Sequence, residues 1–251
     1  MKKILCLFGA VALMLTSCSS DDDKTSSEEN VVLLPKTEKY TYATNPQENS
    51  IVTYSYDGNK IVSLTYNTGE KTVFTYTENL ITKAVYTETY EGAMRIFTTT
   101  FTYDNGKLKS SFQVGSANSL NKRRTYTYNA NGTISTVTVL INPTTQLETQ
   151  DSSSTLTLDA SGNIVKAEFN DLTTIIEYDT KNNPFRNVLG FTSLLDSDIF
   201  DKDVNSVNNI AKVIEKSGAV IEGTTTYTNS YNSDNYLIKS VSGNETYEYT
   251  Y

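Results

Sequence analysis

One pattern recurs along this chain and constrains its fold more than any other feature. Two aromatic or aliphatic residues flank one polar residue, and Asp or Asn with a short turn usually follows. The instances begin at Tyr54, Phe74, Phe101, Tyr126, Leu156, Ile176 and Tyr231, and the theme returns over residues 247–251. Alternation with period two places the flanking residues on one face of a strand and the polar residue on the other. Tyr, Phe, Thr, Val and Ile also fit a pleated sheet well, so the pattern predicts β-strands.

The residues that follow each pair of aromatic or aliphatic residues predict tight turns. Asp or Asn at a strand end accepts a hydrogen bond from the backbone two residues on, and Gly106, Gly132 and Gly162 supply positive φ angles. The chain then returns as apolar strands over residues 108–112, 134–139 and 164–169. Each unit is therefore a hairpin. We expect an all-β fold, an antiparallel meander of hairpin repeats that forms one large twisted sheet. The pattern leaves open whether that sheet closes.

Residues 183–209 break the repeat. Pro184 ends the preceding strand, and Leu189, Phe191, Leu194 and Leu195 are concentrated without alternating. We predict a short helical or loop insertion near residues 185–207, which covers one apolar face of the sheet. Strands are expected to resume near residues 210–215, turn at residues 217–218 and continue over residues 220–227.

The N-terminus has the layout of a secretion signal. Lys2 and Lys3 precede an apolar stretch over residues 4–15, which is shorter than the about 20 residues that span a bilayer. We predict a signal peptide over residues 1–17 and an acylated Cys18 with a flexible acidic tether over residues 18–35. Residues 36–251 are expected to form a single domain. The alternative is an ordinary signal peptide with an incidental cysteine.

The run Leu15-Thr16-Ser17-Cys18 resembles a bacterial lipobox, which implies that Cys18 is lipidated. The following residues are similar to the acidic export signal of Bacteroidota surface lipoproteins, in its flavobacterial form: Ser19, Ser20, Asp21, Asp22 and Asp23. The resemblance implies a lipid-anchored protein of the outer membrane, exposed on the cell surface. A solvated spacer is the alternative interpretation of the acidic residues.

Segments 128–134 and 158–164 resemble YD repeats of the RHS type. The chain after the signal is similar to small repeat-bearing lipoproteins of Bacteroidota, and the similarity covers most of residues 40–251. This resemblance implies the hairpin fold and says little about chemistry. Large RHS proteins enclose a toxin in a shell of such strands, and this chain has too few repeats to do so.

Composition excludes several kinds of chemistry. The net charge is −8, and loss of Lys2 and Lys3 takes it to −10, which disfavours nucleic-acid binding. The basic run Lys122-Arg123-Arg124 is expected to be a solvated strand end. The chain has no histidine, and its cysteines, Cys6 and Cys18, leave with the signal or carry lipid. Imidazole-based catalysis, thiol nucleophiles, His or Cys metal sites and disulfides are therefore not expected.

The remaining candidate groups have two interpretations each. The tyrosines, 18 in number, form either a stacking platform for glycans or cross-strand ladders that support the sheet. The turn carboxylates are either calcium ligands or turn caps, and the latter is favoured: Asp57, Asp104, Asp159 and Asp179. A second acidic group is interpreted as an exposed face: Asp196, Asp198, Asp201 and Asp203.

We therefore predict a non-catalytic binding or interaction module at the outer membrane, with no cofactor and no metal. Its ligand is a glycan, a protein or a surface, and the alternative is a structural or accessory subunit of an envelope complex. A glycan-active enzyme that uses a pair of carboxylates is less favoured: Glu168, Asp171, Glu177 and Glu222. Glycan binding predicts a cleft lined by several coplanar tyrosine rings. A subunit predicts a broad apolar patch or an open sheet edge, and an enzyme predicts converging acids with shifted pKa values.

Overall fold

The computed structural model describes residues 32–116, 119–195 and 206–251. These residues fold into one sheet of 17 strands, and every strand pair is antiparallel. The predicted all-β meander of hairpins is confirmed. Within the described ranges, no helix has the length and apolar character needed to cross a bilayer.

The strands follow one another in chain order. The first nine are β1 (Thr37–Tyr42), β2 (Ser50–Asp57), β3 (Lys60–Tyr66), β4 (Lys71–Thr77), β5 (Leu80–Tyr90), β6 (Ala93–Asp104), β7 (Lys107–Val114), β8 (Asn121–Tyr128) and β9 (Thr133–Ile141). The other eight are β10 (Glu148–Leu158), β11 (Ile164–Phe169), β12 (Leu172–Tyr178), β13 (Ile210–Ser217), β14 (Val220–Thr226), β15 (Thr228–Tyr231), β16 (Leu237–Ser242) and β17 (Glu245–Thr250). Two short 3₁₀ helices span Pro46–Glu48 and Phe191–Ser193.

The sheet closes on itself, which the repeat pattern left open. β1 pairs with β2 on one side and with β17 on the other, so the first and last strands join the two ends of the meander. The ring of strand pairs has a break at residues 226–228, which we call the seam. Here β14, which pairs with β13, runs directly into β15, which pairs with β16, and β14 and β15 do not pair with each other.

The two faces of the closed sheet differ in polarity. The inner face carries the apolar members of the repeat, and Tyr54, Phe74, Phe101 and Tyr126 are all buried. On β6, Thr100 and Thr102 flank Phe101 and are exposed, as period-two alternation requires. Burial of the large inward side chains supplies the main stabilisation of the fold.

Residues 183–195, which we call the inner segment, fill part of the interior. Phe185, Val188, Phe191 and Leu194 are buried and join the same core cluster as the inward sheet residues. The ring of Phe185 meets the ring of Tyr54 edge-on, with 5.2 Å between the centroids. The predicted insertion therefore lies inside the closed sheet, and its helical content among the described residues is the 3₁₀ turn Phe191–Ser193. Residues 196–205 of that insertion lie outside the described residues.

Hairpins of the repeat share a one-residue bulge that the sequence pattern did not indicate. The register slips in the hairpins β2–β3, β4–β5, β6–β7, β10–β11 and β15–β16. The unpaired residues are Val62, Thr82, Lys109, Val165 and Ile238. Each bulge directly follows an inward aliphatic residue, and bulges increase the local twist of a sheet. Repeated around the ring, the bulges help the sheet to curve and close.

The tyrosines of the repeat bond to the backbone beside these bulges. Tyr103 donates its hydroxyl to the carbonyl of Ile81 at 2.7 Å, and Tyr178 donates to the carbonyl of Ile164 at 3.0 Å. Tyr251 makes the same bond to Leu237 at 2.7 Å. Each acceptor immediately precedes a bulge. A tyrosine hydroxyl from a neighbouring strand, or from the residue that follows β17 in the case of Tyr251, therefore holds the backbone where the strand pairing is irregular. These three tyrosines therefore support the sheet through hydrogen bonds to its backbone.

Candidate functional site

The carboxylate of Asp179 organises the seam. Asp179 directly follows β12, and its Oδ1 accepts the backbone N–H of Lys181 at 2.8 Å and that of Asn209 at 3.2 Å. The amide Nδ2 of Asn209 donates to both carboxylate oxygens at 3.2 Å. The amide Nδ2 of Asn229 donates to Oδ2 at 3.3 Å, and the Tyr231 hydroxyl also donates to Oδ2. One carboxylate therefore joins the end of β12, the start of β13 and the strand β15.

Tyr231 remains a donor over the whole neutral range. Burial raises the pKa of its hydroxyl to about 12, and the hydrogen bond to the negative Asp179 carboxylate contributes to the same shift. The charge of Asp179 is thus balanced by several donors rather than by a cationic side chain. Such multiple donation is the usual way in which a half-buried carboxylate is stabilised.

The same arrangement fixes the orientation of two asparagine amides. The Nδ2 groups of Asn209 and Asn229 face Asp179, and that of Asn229 also donates to the carbonyl of Ile210 at 3.0 Å. A flipped amide would put its oxygen against the carboxylate, so this orientation is enforced. The carbonyl oxygens Oδ1 of both residues are buried and have no hydrogen-bond donor among the described residues. Unsatisfied buried acceptors of this kind are uncommon in native proteins.

Asn209 and Asn229 both line a cavity of about 200 Å³ beside the seam, which we call the seam cavity. Its other lining residues come from the inner segment, from the seam itself and from β13, β16 and β17: Asn183, Pro184, Phe185, Ile210, Tyr227, Leu237, Ser240, Tyr247 and Tyr249. No charged side chain is among them. The cavity therefore has a mostly aromatic and aliphatic lining with three asparagines and one serine, a composition typical of small-ligand sites.

A neighbouring asparagine shows the contrast between a satisfied and an unsatisfied amide. Asn163 is fully buried, and its Nδ2 donates to Asp159 at 2.9 Å and to Asn208 at 3.1 Å. Its Oδ1 accepts the backbone N–H of Val207 at 2.9 Å. Both ends of this amide are paired, so Asn163 holds residues 206–208 against the β10–β11 turn and has no acceptor to offer. The roles of Asn163 and Asn209 therefore differ, although both are buried.

Two turn carboxylates act as turn caps, as the sequence predicted. Asp159 accepts the backbone N–H groups of Ser161 and Asn163 at 2.8 and 2.9 Å. Burial would raise the pKa of Asp159, but the hydrogen bonds from Asn163 and Ser161 outweigh it, and the pKa lies below its ordinary value. Asp179 caps its turn through Lys181 in the same way. Asp104 instead accepts the side-chain amide of Asn105 at 3.0 Å.

The other predicted site residues are scattered or lie outside the described ranges. Cys18, the export signal (Ser19, Ser20, Asp21, Asp22 and Asp23) and the acidic group at residues 196–203 belong to the latter. Glu168 pairs with Lys166 at 2.6 Å and Glu177 with Lys212 at 3.0 Å. The basic run lies in β8, where Arg123 pairs with Glu148 at 2.6 Å. In the described part of the chain, no group of three or more Cys, Asp or Glu residues is placed to hold a metal ion.

Sequence reasoning missed the two asparagines of the seam. Asn229 lies inside the short strand β15, and asparagine is depleted in strands. That local inconsistency is a signal that pattern analysis could have used. Asn209 carries no such signal, since an Asn before a strand is ordinary. The buried carboxyl group of Glu38, which accepts the Tyr54 hydroxyl at 2.9 Å, was also not predicted.

Comparisons with known proteins identify the fold and no more. No protein-family model matches the chain, and the comparison with curated proteins gave no match. Among solved structures, a porin-like protein from Bacteroides vulgatus is similar over 88% of this chain and 99% of its own, with a TM-score of 0.57 and 13% identity. A porin-like protein from Bacteroides uniformis is similar over 86% and 96%, with a TM-score of 0.50 and 14% identity. The closed antiparallel sheet is therefore an architecture that occurs in Bacteroides proteins.

Proposed function

We propose that this protein is an outer-membrane lipoprotein, displayed on the cell surface, that acts as a non-catalytic binding module through the seam cavity. The observation that carries the binding role is the seam cavity itself, a space of about 200 Å³ lined by aromatic and aliphatic residues with a few uncharged polar side chains.

The lipid at Cys18 is proposed as the membrane anchor. Two or three acyl chains are sufficient to hold a domain at a membrane. The likeness to porin-like proteins of Bacteroides supports an outer-membrane association for this fold.

The anchor is tested by metabolic labelling with palmitate. We expect label on the wild-type chain and none on Cys18→Ala, and we expect protease added to intact cells to digest the wild-type protein. A labelled Cys18→Ala variant would show that the lipid lies elsewhere. Protection of the wild-type protein from added protease would contradict surface display.

The binding role is tested with a chemically diverse fragment library and the full chain, observed by NMR. We expect a subset of fragments to shift the signals of residues that line the seam cavity, such as Tyr227 and Ser240. Ser240 is buried in β16, so Ser240→Leu should fill the space and abolish those shifts. Absence of any fragment contact with the cavity would refute the proposed binding module.

A second candidate function is a subunit of an envelope complex, favoured by exposed apolar side chains at one end of the sheet. Successive turns of a meander alternate between its two ends, and the chain enters β1 at the end opposite to these residues. Met94 and Leu147 are each 68% exposed, and Val220, Ile221 and Leu172 are more than half exposed. A contiguous apolar patch at this end of the sheet would mark a protein contact. We expect the wild-type protein to run in a large assembly on native electrophoresis of mild detergent extracts, and Met94→Lys/Leu147→Lys to run as the free chain.

A further inference from the structure

One strand edge is left open beside the seam, and we infer that it binds an extended, basic peptide segment of a partner protein by strand addition. The edge belongs to β14, which pairs with β13 on one side, and no other described strand pairs with it. We call the unpaired side of Val220–Thr226 the β14 edge. None of these residues lines the seam cavity, and the inference does not depend on the binding role proposed for that cavity.

The exposure of β14 indicates that no other described part of the chain covers it. Six of its seven residues are exposed, and the remaining one, Gly223, is half-buried. Both faces of the strand are included, since successive residues point to opposite sides of a sheet. Val220 and Ile221 are 61% and 60% exposed. β14 is therefore accessible to a partner at its edge and on both faces.

The register with β13 identifies the backbone groups that the β14 edge presents. Tyr227, the residue after β14, donates its N–H to the carbonyl of Ala211 at 2.9 Å. In an antiparallel pair, successive residues alternate between facing the partner strand and facing away from it. Thr225 therefore faces β13, whereas Thr224 and Thr226 direct their N–H and C=O groups to the open side. An added strand would pair with these groups, as in the recognition of peptides by β-augmentation.

Native proteins usually protect exposed strand edges with charges, prolines or bulges. β14 has one bulge, at Glu222, and beyond it Gly223–Thr226 pair regularly with β13 and contain neither a charge nor a proline. Residues 148–154 of β10 also extend past the pairing with β11, but that edge carries Glu148 and a charged bulge residue, Asp151. The β14 edge is therefore the less protected of the two.

The closed sheet restricts the partner to a single extended segment. Because β14 runs on into β15, which pairs with β16, an added strand would lie in line with β16 beyond its last residue, Ser242. A second copy of this chain would pair β14 with β14 about a two-fold axis perpendicular to the sheet. Both closed sheets would then lie on the same side of the shared edge and collide. A peptide segment without a folded sheet behind it avoids that collision.

The charge at the β14 edge favours a basic segment. Glu222 is exposed, and Oε2 of Glu215 lies 3.3 Å from the position that a Cβ of Gly223 would take. Neither carboxylate forms an ion pair with another described residue. Lys216, opposite Ile221, supplies one positive charge to this strand pair, and the whole chain has a net charge of −8. A lysine or arginine in the segment is therefore attracted, and β-branched residues suit the pairing itself.

The test uses the full chain in a mild detergent and a phage library of random peptides as long as β14, seven residues. We expect the enriched peptides to combine β-branched residues with at least one lysine or arginine. Synthetic copies should protect the Thr224 amide from hydrogen exchange, observed by NMR, whereas this amide exchanges rapidly in the free protein. N-methylation of alternate peptide residues removes the donors on one side of the peptide. One methylation pattern should therefore abolish binding, and the opposite pattern should preserve it.

Three variants make the result specific. Thr224→Pro removes an N–H that faces the open side and keeps the pairing with β13, so peptide binding should be lost. Thr224→Val keeps the N–H and should bind as the wild-type protein does. Glu222→Gln should lower the affinity of lysine-containing peptides about threefold, the effect of one exposed ion pair. Circular dichroism establishes that each variant is folded, and the N-methylated peptides test the inference on the wild-type protein if Thr224→Pro does not fold.

Three results would overturn the inference. If no enriched peptide protects the Thr224 amide, the edge does not accept a strand. If a peptide binds Thr224→Pro, or binds in both N-methylated forms, as well as in the reference experiment, it binds elsewhere on the molecule. If the Thr224 amide is already protected and the protein sediments as a dimer, a second copy covers the edge. None of these results alters the fragment test of the seam cavity or the electrophoresis of the proposed assembly, so the proposals fail or stand separately.

Discussion

At the scale of single residues, the hydroxyl of tyrosine explains why the repeat uses this residue rather than phenylalanine. The hydroxyls of Tyr103, Tyr178 and Tyr251 donate to backbone carbonyls beside bulges. The ring fills the interior while the hydroxyl satisfies a backbone acceptor, and the two roles require one side chain with both properties. Phenylalanine in its place would leave each carbonyl without this donor.

Tyr103→Phe should therefore destabilise the fold by about 1 kcal/mol, the usual net contribution of one hydrogen bond. The matched control is Tyr90→Phe, because Tyr90 is 48% exposed. We expect the control to change the free energy of unfolding by a few tenths of a kcal/mol at most. Urea denaturation of both variants measures the difference, and equal effects would show that the Tyr103 bond adds nothing.

The buried tyrosines also determine how the stability of the folded protein changes at alkaline pH. Burial raises the pKa of Tyr76 and of Tyr231 from 10.0 to about 12. In the unfolded chain these groups lose their protons near pH 10, while the folded protein retains them. The stability they contribute is fully present below pH 10 and is lost as the pH rises from 10 to 12.

We expect the free energy of unfolding to decrease steadily over that range and to show no such loss between pH 8 and 10. Denaturation at a series of pH values measures it, with tyrosinate absorbance recorded in parallel. Ionisation of every tyrosine near pH 10 in the folded protein would contradict the burial of these hydroxyls.

At the scale of elements, the inner segment is held by a close backbone approach at Gly190. Gly190 has a φ of 81°, and a Cβ there would lie 3.0 Å from the carbonyl oxygen of Asn79 and 3.1 Å from the nitrogen of Ile81. The next residue, Phe191, is fully buried. The absence of a side chain at position 190 therefore lets the inner segment lie directly against the β4–β5 turn.

Gly190→Ala should destabilise the protein by more than Gly106→Ala does. Gly106 has a similar φ of 76°, but a Cβ there meets nothing within 4 Å. The control variant thus carries only the backbone penalty of about 1–2 kcal/mol, and Gly190→Ala adds the steric contact with Asn79 and Ile81. Urea denaturation measures both, and an equal loss of stability would show that the inner segment adjusts without cost.

At the scale of the whole molecule, closure of the sheet brings the chain ends together. Lys36 donates its N–H to the carbonyl of Thr250 at 2.7 Å, and β1 pairs with β17 along its length. A closed sheet exposes fewer edges that could pair with other chains than an open sheet does. Closure also creates the interior that the inner segment fills.

A circular permutant tests this arrangement. Residues 33–251 are joined end to end by a short Gly/Ser linker and reopened between Glu91 and Gly92, in the exposed β5–β6 turn. We expect a strand-type circular dichroism spectrum and one cooperative unfolding transition, because every strand pair is kept. Reopening at Arg186 and Asn187, within the inner segment, should lower stability markedly. The reverse order of stability would contradict the role of that segment.

The local pattern was sufficient to predict much of the fold. Alternation predicted the strands around Tyr54 and Phe101, and the Asp and Gly residues predicted the turns, because strand and turn preferences act over a few neighbouring residues. The bulges and the destination of the tyrosine hydroxyls were not predicted. The insertion was predicted to cover one apolar face of the sheet, but not that this face encloses an interior. These features depend on which strands become neighbours, and a period-two pattern is the same in an open and in a closed sheet.

The sequence by itself determined that this chain forms an antiparallel meander of hairpins, since each hairpin is specified by its own alternating side chains and turn residues. Only the tertiary structure decided that β1 pairs with β17 and that Asp179, Asn209 and Asn229 meet at the seam. Those contacts join residues up to 213 positions apart. Their formation depends on the accumulated twist and curvature of the whole sheet, which no single repeat contains.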